Sequence, residues 1–129
     1  MRGGTELGRV RGLGAAKEGT HHWTAQRMTA VSNLLLVVWL VVSLASLPSL
    51  DHWAVTGWLA QPLVAVPMML LLVSVFNHLR LGLQVLVEDY VHDDGLKFAT
   101  LLLVNFYAIA AGALGIFSVA KIAFAGGSL

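Results

Sequence analysis

The chain has 129 residues, of which 57% are hydrophobic and only 12% charged, and its mean hydropathy is +0.78. A water-soluble domain of this size exposes too much surface to carry that composition, so a soluble globular protein is excluded. About three membrane spans of roughly 20 residues each leave little further chain, which excludes a large self-contained enzyme pocket and makes any chemistry depend on partner subunits.

The absence of cysteine removes disulfides, iron–sulfur ligation and thiolate catalysis by this chain. The net charge of +1 argues neither for nor against nucleic acid. Five histidines among so few charged residues are the main candidates for metal or proton chemistry.

Residues 1–28 are polar and Gly-rich, with Arg2, Arg9, Arg11, Lys17 and Arg27 against Glu6 and Glu18. With no early apolar core they do not read as a secretory signal. An Arg-rich transit peptide is the alternative, and the shortness of the stretch favours a bacterial protein.

The first apolar stretch, 29–47, is uncharged and long enough to cross a bilayer. Pro48, Ser49, Asp51 and His52 end it, and Trp53 and Trp58 follow as an interfacial belt. The second span is expected over 60–87, with Pro62 suited to a helix start and Pro67 expected to bend the first turns. Asn77, His78, Arg80, Gln84, Glu88 and Asp89 enter its second half, where polar groups are expensive and need a partner or a purpose. An acidic loop with His92, Asp93 and Asp94 leads to a third span over 98–120.

The fold class expected is therefore an all-α membrane protein: a polar segment over 1–28, and a three-helix membrane anchor over 29–129 that forms part of a larger bundle. Five of the eight basic residues precede the first span. The positive-inside rule then puts the N-terminus in the cytoplasm and the C-terminus in the periplasm.

On a helical wheel centred on His78, Gly82, Val85 and Asp89 fall within about 40° of it. Gly82 leaves room for something flat to lie against the backbone. His78 lies roughly 16 Å from Asp89 along the axis, near mid-membrane if Asp89 is interfacial. Asn77, Arg80, Gln84 and Glu88 form a second stripe, in which Gln84 is placed to bridge Arg80 and Glu88. That stripe faces another polypeptide or snorkels to the interface.

Three of these features admit two readings from the residues alone. A mid-membrane histidine suits an axial ligand of haem iron, with the second ligand supplied by a partner, and it equally suits a hydrogen bond between helices or a proton path. His21, His22 and Arg27 suit lipid phosphates or haem propionates. Asp89-Tyr90 is either an ordinary helix end or a quinone site, with the tyrosine hydroxyl donating to a carbonyl and the aspartate holding an arginine or relaying protons.

Taken together, His78-Leu79-Arg80-Leu81-Gly82-Leu83-Gln84 and Glu88-Asp89-Tyr90-Val91-His92 resemble the signature of the D-type hydrophobic membrane-anchor subunits of succinate dehydrogenase (complex II). The segment Gly19-Thr20-His21-His22-Trp23-Thr24-Ala25-Gln26-Arg27 resembles the stretch that precedes the first span in that family, and the three-span layout matches. The resemblance covers roughly residues 15–120.

It implies that His78 is an axial ligand of haem b shared with a cytochrome b subunit. It also implies that Tyr90 hydrogen-bonds ubiquinone, that Asp89 supports that site through an arginine of the partner, and that Arg27 with His21 or His22 contacts the haem propionates. The implied partners are the cytochrome b, iron–sulfur and flavoprotein subunits, with membrane lipid and no nucleic acid. The implied setting is the bacterial inner membrane, with the mitochondrial inner membrane as the alternative. A fumarate reductase anchor, a haem-free structural anchor and a small transport subunit are the rival readings.

Overall fold

The computed structural model describes residues 16–125. Arg2, Glu6, Arg9 and Arg11 of the expected N-terminal segment, and the Gly/Ser tail over 126–129, lie outside the described residues. Four helices follow in chain order: α1 (Ala16–Ala45), α2 (His52–Leu59), α3 (Pro62–Tyr90) and α4 (Asp94–Ala125). Among the described residues α1, α3 and α4 are each long and apolar enough to cross a membrane, and the fold class is all-α.

The apolar runs locate the helices, but local chemistry moves their ends. α1 begins at Ala16 rather than near Thr29. Its first turns lack an apolar stripe, yet the Thr24 and Thr29 hydroxyls bond back to the carbonyls of Thr20 and Ala25, so these polar groups are satisfied within the helix. α2 is capped by Asp51, whose carboxylate accepts from the Ala54 amide at 2.8 Å. α3 opens with Pro62 in its first turn and runs on through Pro67 as a single element. The acidic loop is shorter than the sequence suggests, because α3 extends to Tyr90 and α4 starts at Asp94. Asp93 accepts from the Leu96 amide at 2.7 Å and so caps α4, which gives the first of the two acidic residues a structural role.

α3 is the central element. It packs against α1 on one side and α4 on the other, while α1 and α4 make no close approach to each other among the described residues. Small residues set the α3–α4 seam. Gly112 lies under the Phe76 ring, and a Cβ built on Gly115 would stand 3.2 Å from both terminal carbons of Leu72. The buried core is correspondingly thin, with Val64, Ala65, Leu71, Leu81 and Val87 from α3 and Ala108 and Val119 from α4.

Of the two tryptophans in the expected interfacial pair, Trp53 is exposed, whereas Trp58 stacks on Trp39 of α1 with ring centroids 6.2 Å apart. Leu34, Leu35, Val38, Val41 and Val42 of α1 are exposed, as suits a face turned to lipid or to another subunit.

Candidate functional site

The N-terminal half of α1 and the C-terminal half of α3 hold nearly all the polar residues singled out in the sequence. His78 faces α1, where its Nδ1 lies 3.0 Å from the Thr29 hydroxyl oxygen. That hydroxyl has one proton, and the carbonyls of Ala25 and Gln26, at 3.0 Å and 2.9 Å, are both placed to receive it. With that proton given to its own helix, Thr29 accepts from Nδ1 of His78, and the tautomer so selected leaves the Nε2 lone pair for an electrophile. Ser74, one turn along α3, donates to the Thr29 carbonyl at 3.3 Å and ties the same two turns together.

Gly82 shares the His78 face, as its spacing predicts, but what lies closest to it belongs to the same chain. A Cβ at that position would come within 4.0 Å of Gln26 Nε2, so the glycine lies beneath the Gln26 side chain of α1.

The second polar stripe is only half the ladder that its spacing suggests. Gln84 donates to Glu88 at 2.9 Å. Arg80 turns instead to α4, where its Nη1 reaches Asn105 Oδ1 at 3.4 Å. The reason is geometric: α4 brings a polar acceptor beside Arg80, nearer than the glutamate two turns away on its own helix.

His21, His22, Asn77, Arg80 and Gln84 line a cavity of about 660 Å³ between α1 and α3. Within its walls His22 Nε2 and Arg80 Nε are buried without a hydrogen-bond partner. Arg27 does not join them: its guanidinium lies over the Trp23 ring, 4.3 Å from the centroid, and the residue is exposed. The structure thus brings His21 and His22 together with Arg80, and holds Arg27 on the Trp23 face of α1.

Asp89 and Tyr90 end α3, and both are exposed, Tyr90 by 76%. Their hydroxyl and carboxylate are accessible to a molecule at the membrane surface. Among the described residues no three His, Asp or Glu gather as a metal cage, so any metal held by His78 draws its remaining ligands from elsewhere.

Outside the spans, Asp51 is held below the ordinary carboxylate value of 3.8, first by the Ala54 amide and then by the Ser49 hydroxyl at 2.7 Å.

Sequence reasoning missed Thr29, Asn33 and Asn105. Thr29 orients His78, Asn105 receives Arg80, and Asn33, one turn deeper than Thr29, keeps a buried Oδ1 without a partner. Asn105 is a single polar residue within an apolar run, the signal that would have flagged it, whereas Thr29 and Asn33 stand near Arg27 and Ser32 at the polar end of theirs.

The family model described as succinate dehydrogenase/fumarate reductase transmembrane subunit matches residues 1–112. A succinate dehydrogenase hydrophobic membrane anchor subunit from Rickettsia bellii is 29% identical over 81% of this chain and 83% of the relative. The protein of the same description from Rickettsia conorii is 30% identical over the same shares.

Proposed function

Because the chain belongs to the family of succinate dehydrogenase/fumarate reductase transmembrane subunits, we propose that it anchors a succinate:ubiquinone oxidoreductase in the bacterial inner membrane and supplies part of its haem b and quinone sites. It tethers the flavoprotein and iron–sulfur subunits and pairs with a cytochrome b subunit. The curated relatives are named for succinate dehydrogenase, which favours succinate oxidation over fumarate reduction. The basic segment before α1 supports a cytoplasmic N-terminus, and three crossings then place the C-terminus in the periplasm.

The observation that carries the haem assignment is the Thr29–His78 contact. It orients the ring by way of Nδ1 and leaves Nε2 available as a nitrogen donor. His78 would hold the iron from one side, with the second ligand contributed by the cytochrome b subunit. When bound, haem supplies a one-electron carrier in a low-dielectric setting. Arg27, with one of the adjacent histidines His21 and His22, meets the propionates.

At the surface, Tyr90 donates its hydroxyl to a ubiquinone carbonyl and thereby fixes the ring's orientation. Asp89, one residue earlier, holds an arginine of the cytochrome b subunit and passes protons from water to the reduced quinone. Exposure of both residues at the end of α3 is what such a site requires before partners close over it.

A reduced-minus-oxidised spectrum of the purified complex tests the ligand. Wild type should give a b-type signal that His78→Ala abolishes or shifts. An unchanged signal in an assembled variant would remove His78 from the iron.

A further inference from the structure

The cavity that holds Arg80 does not stand alone. A second, apolar groove of about 350 Å³ runs between α3 and α4, lined by Val73, Phe76, Ala108, Gly112 and Ile116. Asn77 and Arg80 belong to the walls of both. A polar cavity bearing an arginine thus continues into an apolar groove, and the groove leads deeper into the membrane.

From these observations we infer that this composite cleft binds one anionic phospholipid, its phosphate between Arg80 and His22 and one acyl chain along the α3–α4 groove. The head end has the chemistry for it. Arg80 Nε carries a hydrogen that finds no acceptor, His22 Nε2 is also unpartnered, and both atoms are buried. Among the described residues the guanidinium makes one bond, a long one to a neutral amide. An arginine left in this way is costly, and an oxyanion within reach of both groups removes the cost. Basic pockets between membrane helices on the cytoplasmic side are suited to phosphate head groups.

The tail end has the chemistry as well. Val73 to Arg80 spans about 10 Å of helix axis, and the apolar groove of about 350 Å³ along it has the length and the lining for part of one hydrocarbon chain.

The cleft is also separate from the haem ligand. Arg80 lies about 200° around α3 from His78, and His78 is turned toward α1. The cavity that His21 and His22 line with Arg80 thereby goes to the lipid, and Arg27, held on the Trp23 ring, is left to the propionates. The lipid site rests on the membrane-anchor reading but not on bound haem.

The test uses the whole purified complex. After detergent delipidation, wild type titrated with phosphatidylglycerol and phosphatidylcholine should prefer the anionic lipid by about fivefold or more, as one buried cation predicts. The preference should fall to within about twofold in Arg80→Gln and be largely kept in Arg80→Lys. Absence of any preference in wild type overturns the proposal, and that measurement does not depend on a variant folding.

Inorganic phosphate should compete poorly, and competition at equal concentration would remove the tail from the site. A photoreactive side chain at Ile109, which also lines the groove, should label lipid; labelling of another subunit would make the groove a protein interface and overturn the proposal. The haem spectrum of Arg80→Gln should match wild type. Loss of haem with lipid binding intact would give the cavity to the propionates instead, whereas loss of the His78→Ala effect alone would fault the haem reading and leave the lipid site standing.

Discussion

Thr29 and His78, 49 positions apart in the chain, are joined by a hydrogen bond of 3.0 Å that orients the imidazole ring. A hydroxyl that gives its proton to its own helix accepts from Nδ1 and leaves the ring to present Nε2. Thr29→Val keeps the shape and removes the acceptor. It should weaken haem retention by about tenfold, the usual scale for losing a partner of a metal-binding histidine, while Thr29→Ser retains it. Haem content per assembled complex, read from the reduced spectrum, checks this.

Tyr90 ends α3 with its side chain mostly exposed. Tyr90→Phe removes one hydrogen-bond donor and little else, so it should lower ubiquinone reduction about five- to tenfold, the worth of roughly 1 kcal/mol. Succinate oxidation with a soluble artificial acceptor should be unaltered. Equal loss of both activities would show misassembly rather than a lost quinone contact.

The glycines of the α3–α4 seam should differ in tolerance. A methyl on Gly115 would meet both Leu72 terminal carbons at 3.2 Å, whereas on Gly112 its nearest contact is the Phe76 ring at 3.5 Å. Gly115→Ala should therefore destabilise by about 1 kcal/mol and Gly112→Ala by less, with Gly112→Leu worse than either. Thermal loss of the assembled complex in detergent gives the order, and the reverse order would refute the seam.

Asp51 gives the short helix α2 a dependence on pH. Its folded pKa lies below the ordinary 3.8, so the cap contributes fully above that value and is lost as the pH falls through the lower, folded one. Acidification below pH 4 should loosen α2, and Asp51→Asn should remove the titration while keeping a capping oxygen. Fluorescence of the stacked Trp39–Trp58 pair reports it, and a response identical in Asp51→Asn would exclude this carboxylate as the cause.

The three long helices could be read from the sequence because uncharged apolar runs of that length have few alternatives. Their ends could not. α1 extends back to Ala16 through residues with no apolar stripe, and α4 starts early because Asp93, rather than its neighbour, takes the capping position. The shared face of His78 and Gly82 followed from their spacing, and the Gln84–Glu88 bond from i, i+4 geometry.

The partners of His78 and Arg80 did not follow. Thr29 and Asn105 meet them only once helices distant in sequence have packed, and a helical wheel of one segment carries no information about the other. The same limit explains Arg27. Its proximity in sequence to His21 and His22 suggested a single cluster, but five positions on a helix turn it well away from His22, onto Trp23.

Since α1 and α4 both pack on α3 and make no close approach to one another among the described residues, the three long helices form a laminate with two glued faces rather than a closed bundle. Damage along the Phe76–Gly112 face need not travel to the Thr29–His78 face. The two joints also form in a fixed order of difficulty: α3 and α4 are joined by a connection of only a few residues, while α1 must find α3 across an intervening helix. The imidazole acquires its orientation only with that second, long-range joint. Correct orientation of His78 is thus a certificate that the first helix has been seated on α3.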